Sequence, residues 1–554
     1  MERIWLDQYP PGVPADITED AAGYDSLLAV VEESCQRYAR NVAYISMGSE
    51  LTYAEVDAHS RRFAAWLQSV GVGKGDRVAI MMPNLLQYPI CLFGVLRAGA
   101  AAVGINPLFT ASELQHQLAD SGAETIVIAE NFAHTLQKAL PELSLRHIVV
   151  TSVGDMLGSV KGAVIDLVVR RVKKLVPAYE LPGALRLRQA LSLGRDAGYT
   201  RPRMEHDDLA LLQYTGGTTG VSKAAMLSHG NMVSNLCQAY AWLQPYVNGE
   251  QECIVTALPL YHIFALTANC LAFFRLGARN LLILNARDIP GLVKSMSQTR
   301  FTAITGVNTL FNALLHHPGF AKLDFSALHI SLGGGMAVQE TVAQRWLEVT
   351  GTPLAQAYGL TETSPAVCIN PLDKRSFTGS IGLPVPSTDI SIRDHEGREV
   401  PLGENGEICV RGPQVTRGYW KRPDETQAVL GADGFLRTGD IGCVDEEGYL
   451  YIRDRKKDMI LVSGFNVYPN EVEAVAVQHP DVLEAAAIGI PDEHSGEVVK
   501  LFVIRKNDRV TEKELIDFCR GKLTGYKVPR HVEFRKDLPR SNVGKVLRRA
   551  LKEG

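Results

Sequence analysis

The chain has 554 residues, of which 46% are apolar and 21% are charged, and its net charge is −4 at neutral pH. This composition is typical of a globular protein and argues against a general nucleic-acid-binding protein, in which basic residues should be in clear excess. The nine cysteines stand singly, with no CxxC pair and no Cys/His cluster at metal-ligand spacing, which excludes the usual zinc signatures and predicts reduced thiols in a cytoplasmic protein.

The beginning of the chain and its most apolar stretch both argue against a membrane-spanning or exported protein. The first residues lack the basic flank and apolar block of a signal peptide. The stretch 85–109 contains Arg97 and is interrupted by Pro89, whereas a membrane span needs about 20 uninterrupted apolar residues. A core helix is predicted there.

Short β-rich runs alternate with helix-like segments through the first two-thirds of the chain. The runs are RVAIMMP, TIVIAE, HIVVT, CIVTALPL, NLLILN and FTAITGV. Because their apolar residues are continuous rather than alternating, they predict parallel sheets covered on both faces by helices, and hence an α/β fold.

The pattern changes near residue 385, where strands are joined by polar turns such as HEGR and EEGY and predict an antiparallel β subdomain. After DRKKD, a unit of about 100 residues with helix, strand and helix predicts a small α+β domain on a charged hinge. Its second helix opens with the capping-box pair Thr511 and Glu514. The predicted domains are 1–454, with the antiparallel subdomain at about 385–454, a hinge at 455–458, and a mobile domain at 459–554.

The segment 164–176 is amphipathic and basic. At 100° per residue its apolar side chains fill one arc and its charged side chains the other, with only Leu167 out of place. Such a helix can lie on an anionic membrane surface. The alternative is a surface helix that packs its valine face on the protein.

The stretch YTGGTTGVSKAA, at 214–225, predicts a phosphate-binding loop between a strand and helix-like sequence. It does not fit the Walker pattern, because Lys223 is followed by Ala224 and preceded by Ser222, and it contains no GxGxxG. Its glycines allow backbone N–H groups to approach an anion closely, its threonine hydroxyls are further donors, and Lys223 supplies a positive charge.

Four further motifs follow this loop in order: QAYGLTE at 356–362, LRTGD at 436–440, IRDRKKDMILVSGFNVYP at 452–469 and PRSNVGKVLRR at 539–549. Together the five motifs resemble those of the adenylate-forming superfamily, and nearly the whole chain resembles bacterial long-chain fatty-acid–CoA ligases. Ala224, Ser222, Phe435 and Arg437 depart from residues that are frequent in the family, but none of these changes removes a ligand-contacting residue.

The resemblance implies ATP-dependent activation of a carboxylate to an acyl-adenylate, followed by transfer to the thiol of coenzyme A. It implies that ATP is bound by Tyr214, Thr215, Gly216, Gly217, Thr218, Thr219, Gly220, Lys223, Gly334, Gly335, Tyr358, Gly359, Thr361, Asp440 and Arg455. Tyr358 should stack on adenine, Thr361 should contact the α-phosphate, and Asp440 should bind the ribose hydroxyls. Glu362 should hold Mg²⁺, for which a carboxylate oxygen is a suitable ligand.

The resemblance also identifies Lys545 as the catalytic lysine and Lys457 as the pivot on which the last domain turns between the two half-reactions. After that turn, Ser463, Gly464 and Phe465 should face coenzyme A. His262 lies where the family places an aromatic group beside the acyl carbonyl, and it is assigned a positioning role. The apolar segments 264–277 and 302–311 suit a tunnel for an alkyl chain.

The main hypothesis is therefore a long-chain fatty-acid–CoA ligase that uses Mg²⁺ and releases AMP and pyrophosphate. An aryl-CoA ligase and a fatty-acyl–AMP ligase are alternatives within the superfamily. A nucleotide-regulated membrane-docking protein is an alternative from another class. A cytoplasmic location is expected, with the inner membrane as a candidate contact for 164–176, and a homodimer is one assembly that the resemblance leaves open.

Overall fold

The computed structural model describes residues 2–215, 222–492, 494–541 and 544–553. Within these residues the strands form four sheets, two of them mainly parallel and two mainly antiparallel. The fold is thus α/β in its larger part, as the continuous apolar runs predict.

The first mainly parallel sheet contains, in spatial order, Leu185–Arg186, His147–Thr151, Thr125–Ala129, Arg77–Met81, Ala101–Gly104, Leu209–Thr215 and Lys223–Ser228. Only the pairing of the last two strands is antiparallel. The second sheet contains Leu383–Pro384, Ala366–Ile369, Leu354–Gly359, Ile330–Gly333, Ala303–Gly306, Cys253–Thr256, Arg279–Leu282, Val42–Ser46 and Ser49–Thr52. Its central pairs are parallel, so their carboxyl ends meet at one edge.

The helices between these strands are mostly amphipathic and bury their apolar faces on the sheets. The α-helices are Thr18–Ala22, Leu27–Arg37, Tyr53–Ser69, Gln87–Ala98, Ala111–Ser121, Ala133–Ala139, Ser159–Leu167, Leu187–Ala197, His229–Leu243, Ile263–Ala265, Phe273–Arg275, Ile289–Ser297, Asn308–His316, Glu340–Thr350, Pro423–Val429, Pro469–Ala476, Glu512–Arg520 and Arg548–Lys552. Val168–Val172 and Leu266–Ala272 are π-helical. Short 3₁₀ helices span Ile4–Gln8, Glu130–Phe132, Leu140–Glu142, Gln244–Tyr246, Phe320–Lys322, Thr361–Thr363 and Gly525–Lys527.

The stretch 85–109 forms the predicted core helix, Gln87–Ala98, which is buried along its whole length. Arg97 is fully buried and its charge is balanced by Glu32 at 2.8 Å and Asp57 at 2.6 Å. A buried charge needs such partners. Among the described residues, no helix is both long enough and apolar enough to cross a bilayer.

The region after residue 385 is antiparallel, as predicted, with the strands Asp389–Arg393, Gly406–Arg411, Leu436–Val444 and Leu450–Arg455. The last sheet consists of Phe465–Val467, Ile460–Val462, Gly496–Arg505, Val482–Asp492 and His531–Phe534. Residues from 460 onward bury apolar clusters of their own, separate from the core shared by the first two sheets. Thr511 and Glu514 form the predicted capping box.

The segment 164–176 is helical as far as Val172, and its apolar face is only partly packed. Ile165 lies against the main core, whereas Val164, Val172 and Leu175 are exposed. Asp166 instead accepts hydrogen bonds from Ser152 Oγ and the Gly154 N–H, both at 2.7 Å, and so the polar side is partly turned inward. Arg170 donates twice to the buried Glu130, at 2.8 Å. Buried polar partners therefore hold the polar side of the segment on the protein, and the alternative of a packed valine face stays a prediction.

Candidate active site

The predicted nucleotide-binding residues gather at the carboxyl edge of the second sheet. Gly334 and Gly335 follow the strand Ile330–Gly333, while Tyr358 and Gly359 end the strand Leu354–Gly359. In parallel α/β sheets, ligands bind outside this edge. Residues far apart in sequence thus share one crevice because their strands are neighbours.

Gly334 shows why this edge needs a small residue. A Cβ at this position would lie 3.0 Å from the Phe264 ring and 3.3 Å from the Ala357 carbonyl oxygen, tighter than ordinary van der Waals contact. The backbone at Gly334 can therefore lie against Phe264 and the neighbouring strand, which keeps the edge open for a flat ligand.

Asp440 is the centre of a buried polar cluster. It is only 2% exposed, its Oδ1 lies 2.6 Å from Arg455 Nε, and its Oδ2 accepts a hydrogen bond of 2.5 Å from Tyr358 Oη. Asp440 and Arg455 are register partners on adjacent strands. Burial, together with the neighbouring carboxylate, raises the pKa of Tyr358 well above its usual value, so the tyrosine remains a donor. The Asp440 carboxyl group has acceptor capacity for further hydroxyl donors.

The phosphate-loop prediction falls partly outside the described residues, because Gly216, Gly217, Thr218, Thr219 and Gly220 lie there. At the ends of the loop, Thr215 and Lys223 are register partners. The prediction of helix-like sequence after the loop is wrong, since Lys223–Ser228 is a strand and the helix begins only at His229. Where the two antiparallel strands meet at this end, Ser222 Oγ donates to the Thr215 carbonyl at 2.8 Å.

The side chains of Tyr214 and Lys223 lie on different sides of this hairpin. Tyr214 Oη donates to Asp120 at 2.7 Å and so supports the base of the loop. Lys223 Nζ lies 2.9 Å from Glu425 and 3.8 Å from the centre of the Tyr419 ring.

Glu362 lies on the single 3₁₀ turn Thr361–Thr363, directly after the strand that carries Tyr358. Its Oε1 accepts a hydrogen bond of 2.6 Å from Tyr419 Oη, and its carbonyl oxygen accepts one of 2.7 Å from the Thr416 N–H. Tyr419 was not predicted as a site residue, because a tyrosine 57 positions away from Glu362 has no spacing signal in the sequence.

A lone carboxylate of this kind fits Mg²⁺ bound together with a nucleotide. Among the described residues there is no group of three or more His, Cys, Asp or Glu side chains that could hold a metal. Mg²⁺ is commonly bound by one or two carboxylates, substrate phosphates and water rather than by a complete protein cage. Glu362 satisfies that requirement.

Lys545 is brought to this crevice from the other end of the chain. A Cβ on the preceding Gly544 would lie 3.0 Å from Thr309 Oγ1, so the turn lies against the start of the helix Asn308–His316. Burial, followed by the repulsion from the Arg455 cation, lowers the pKa of Lys545 to about 8, while Asp440 opposes this shift. The side chain nevertheless remains solvent-accessible, as expected at the mouth of a cleft.

The hinge region is held by a buried arginine. Arg548 contacts Asp454 at 3.1 Å, Asp458 at 3.5 Å and Glu473 at 2.9 Å, and so ties the last helix to both sides of the hinge. Partial burial lowers the pKa of Lys457.

The predicted coenzyme A residues do not face the crevice in this structure. Ser463, Gly464 and Phe465 are exposed, and the contacts described for them are with their own unit. The Ser463 N–H donates to the Ser495 carbonyl at 2.7 Å, and the Phe465 ring stacks on Tyr526 with 4.8 Å between ring centres.

His262 precedes the short helix Ile263–Ala265, and its Nδ1 accepts a hydrogen bond of 3.3 Å from the Phe264 N–H. The surrounding protein lowers its pKa to about 4. His262 is therefore neutral at pH 7, with Nε2 assigned as the protonated nitrogen. Because Phe264 packs against Gly334, this neutral donor lies near the nucleotide edge.

The two segments predicted to line an acyl tunnel are adjacent. Thr305 Oγ1 of the second segment donates to Asn269 Oδ1 of the first at 2.8 Å. Their apolar neighbours are buried in the main core.

Comparisons with known proteins agree with this geometry. The family described as AMP-binding enzyme matches residues 31–420, and the AMP-binding enzyme C-terminal domain matches residues 471–545. A long-chain-fatty-acid–CoA ligase from Escherichia coli O6:H1 is 56% identical over 554 residues, which cover 100% of this chain and 98% of that protein.

Solved structures of two proteins extend the comparison. An anthranilate CoA ligase in complex with anthranoyl-AMP has a TM-score of 0.84 at 26% identity, covering 96% of this chain and 98% of that one. MatB from Rhodopseudomonas palustris, at 28% identity and the same coverage, gives 0.80 in its ATP-bound form and 0.71 in its apo form. With a family match over most of its length and a highly identical full-length relative, the chain belongs to the family of AMP-binding enzymes.

Proposed function

We propose that this protein is an AMP-forming long-chain fatty-acid–CoA ligase. The observation that supports this best is the placement of Lys545 beside the cluster of Asp440 and Arg455, with Gly544 against Thr309. Adenylate formation requires a lysine from the mobile domain close to a carboxylate that binds the ribose hydroxyls, and Lys545 and Asp440 would supply these two groups. The full-length similarity to a long-chain-fatty-acid–CoA ligase supports the substrate class.

In this proposal the nucleotide lies along the carboxyl edge of the second sheet. The adenine stacks on Tyr358 beside Gly334, Gly335 and Gly359, and the ribose hydroxyls donate to Asp440, whose orientation Arg455 and Tyr358 maintain. Thr361 and Lys223 contact phosphate oxygens, together with the loop residues 215–220. Mg²⁺ held by Glu362 would neutralise phosphate charge when bound.

Lys545 acts in the first half-reaction. A carboxylate oxygen of the fatty acid attacks the α-phosphorus, the bond from that phosphorus to the bridging oxygen breaks, and pyrophosphate leaves. The two reacting groups are both anions, and the Lys545 ammonium lowers their repulsion when it lies between them. Such electrostatic help from one well-placed donor is worth about 3–4 kcal/mol in a water-poor site.

The second half-reaction needs a different face of the terminal domain, which we assign to 459–554 with the hinge at 455–458. The coenzyme A sulfur attacks the acyl carbon, the bond to the AMP oxygen breaks, and the thiol proton passes to solvent. A turn about Lys457 would withdraw Lys545 and bring Ser463, Gly464 and Phe465 to the crevice. His262, a neutral donor, would orient the acyl carbonyl.

The product analysis tests this function. The protein is incubated with ATP, MgCl₂, coenzyme A and fatty acids from C6 to C18, and AMP, ADP and acyl-CoA are quantified. Equal amounts of AMP and acyl-CoA, increasing with chain length because each buried methylene contributes about 0.8 kcal/mol, are expected. ADP, or turnover without a carboxylate, would contradict the proposal. Acyl-AMP without thioester would indicate a fatty-acyl–AMP ligase, and a preference for aromatic acids an aryl-CoA ligase.

We also propose that the protein binds an anionic membrane surface through an apolar ridge, defined as Val160, Val164, Leu167, Val172 and Leu175. These side chains are between 53% and 78% exposed. Single exposed apolar residues are common, but five on one short segment, four of them on its helical part and Leu175 just after it, indicate an interaction surface.

The charges beside the ridge favour a lipid surface as its partner. Arg171, Lys173 and Lys174 are exposed, and within the described ranges none of them forms an ion pair. Each such cation near an anionic bilayer contributes about 1 kcal/mol. A substrate that is itself a lipid would reach the enzyme from the same surface.

Vesicle flotation tests this contact. Binding to phosphatidylglycerol vesicles, but weaker binding to neutral phosphatidylcholine vesicles, is expected. Val164→Ser/Leu167→Ser should abolish it, Lys173→Ser/Lys174→Ser should weaken it, and Leu402→Ser, at an exposed leucine elsewhere, should not change it. Absence of flotation would contradict the proposal. A dimer in sedimentation that Val164→Ser/Leu167→Ser dissociates would instead assign the ridge to a second copy of the chain.

A further inference from the structure

The segment around Tyr419 joins two parts of the candidate site that are separate in sequence. The Met226 N–H donates to the Gly418 carbonyl at 3.0 Å and the Trp420 N–H donates to the Ala224 carbonyl at 2.9 Å, which attaches the segment to the strand following the phosphate loop. The Thr416 N–H bonds to the carbonyl of Glu362 on the other side. The backbone of Tyr419 is thus fixed between the loop and the turn that carries Glu362.

The side chain of Tyr419 contacts both parts. Its hydroxyl donates to Glu362 Oε1 at 2.6 Å, and the Lys223 ammonium lies over its ring at 3.8 Å from the centre. Tyr419 is only 5% exposed, and burial raises its pKa above the usual value, so the hydroxyl keeps its proton and acts as a donor. A buried hydrogen bond to a carboxylate is directional, and an ammonium is attracted to the face of an aromatic ring.

We propose that Tyr419 is a positioning residue that sets the orientation of the Glu362 carboxylate and the place of Lys223 at the same time. Within the described part of the chain, the hydrogen bond from Tyr419 is the only one that the Glu362 side chain accepts. Holding Oε1 fixes the orientation of the carboxylate that would hold Mg²⁺. The ring, by contrast, limits where the Lys223 ammonium can lie, together with Glu425 on its other side. This inference rests on the roles proposed above for Glu362 and Lys223.

Two substitutions separate the two contacts. Tyr419→Phe removes the hydroxyl and keeps the ring, whereas Tyr419→Leu removes both. In the adenylation half-reaction, Tyr419→Phe should raise the Mg²⁺ concentration for half-maximal rate about three- to tenfold and leave the KM for ATP unchanged at saturating Mg²⁺. Tyr419→Leu should raise both quantities. Tyr451→Phe, which removes a tyrosine hydroxyl bonded to Asp445 at 3.1 Å, is the matched control and should change neither.

A double substitution tests whether the hydroxyl acts through Glu362. Glu362→Gln alone should raise the Mg²⁺ concentration for half-maximal rate. Adding Tyr419→Phe to Glu362→Gln should raise it no further. If Glu362→Gln has its effect while Tyr419→Phe has none, or if the two effects multiply, the positioning role is wrong and the proposed function stands. If Glu362→Gln leaves the Mg²⁺ dependence unchanged, the metal role itself is wrong and the inference fails with it.

Discussion

The terminal unit has two regions that the proposed chemistry needs at different times, and the structure treats them differently. The turn at Gly544 and Lys545 lies against Thr309 and beside Asp440 and Arg455. The loop of Ser463 to Phe465 is exposed, and its hydrogen bond to Ser495 and its ring contact with Tyr526 lie within its own unit. Under the proposed function, this arrangement corresponds to the orientation for the first half-reaction. The higher TM-score to ATP-bound than to apo MatB agrees with that orientation.

The strongest test of the difference between the two regions removes Lys545. Lys545→Ala should lower the rate of acyl-adenylate formation about 10²- to 10³-fold, because one preorganised charge is lost from the crevice. The rate of thioester formation from added acyl-AMP and coenzyme A should remain within about twofold of the wild type. Both rates are measured separately by quenched-flow chromatography. Equal decreases in the rates of adenylation and thioester formation would show that Lys545 does not act in the first half-reaction alone.

The next test addresses the exposed loop. Gly464 has φ of +84°, and a Cβ there would meet nothing within 4 Å in the present orientation. Gly464→Ala therefore requires a left-handed backbone, at a cost of about 1–2 kcal/mol, and adds a methyl group where coenzyme A should pass. Thioester formation should fall about tenfold while adenylation is unchanged.

Gly403→Ala is the matched control, since Gly403 has φ of +82° and also has open space around it. It should lower the free energy of unfolding by a similar amount and alter neither half-reaction. A similar loss of thioester formation in Gly403→Ala would show that backbone strain alone explains the Gly464→Ala result.

The sequence predicts the fold well where local patterns determine it. Continuous apolar runs identify the parallel strands, and the Thr511–Glu514 pair identifies a helix start, because both depend on neighbouring residues. The contacts that hold the polar side of the 164–176 segment could not be predicted, since Glu130 and Ser152 lie outside the segment.

The candidate site also contains residues that sequence motifs identify and residues whose role depends on contacts distant in sequence. Motif residues such as Asp440 and Arg455 are brought together by strand register, as the resemblance implies. Tyr419 could not be found, because its role arises from an attachment between two loops. The strand after the phosphate loop was predicted as helix-like, since its pairing with Leu209–Thr215 is not visible in local sequence.

A smaller effect is expected from the protonation of Lys545. With a pKa of about 8, Lys545 is charged at pH 7 and loses its charge as the pH rises through 8. The kcat/KM for adenylation, measured without coenzyme A, should therefore be highest below pH 8 and approach a tenfold decrease per pH unit well above it. Lys545→Arg, less active but always charged, should lack this alkaline decrease. If the decrease persists in Lys545→Arg, it belongs to another group.

The smallest effect should come from an ion pair at the hinge. Lys456 Nζ lies 3.1 Å from Glu407 Oε2, but Lys456 is 54% exposed, so the pair is screened by solvent. An exposed pair contributes about 0.2–1 kcal/mol, and Lys456→Ala should shift the ratio of the two half-reaction rates toward thioester formation by less than about fivefold. Because salt screens exposed charges, wild type and variant should converge at 1 M NaCl. A larger shift that persists in salt would mean that the hinge contact, rather than the packing of the Lys545 turn, determines which region of the terminal unit is engaged.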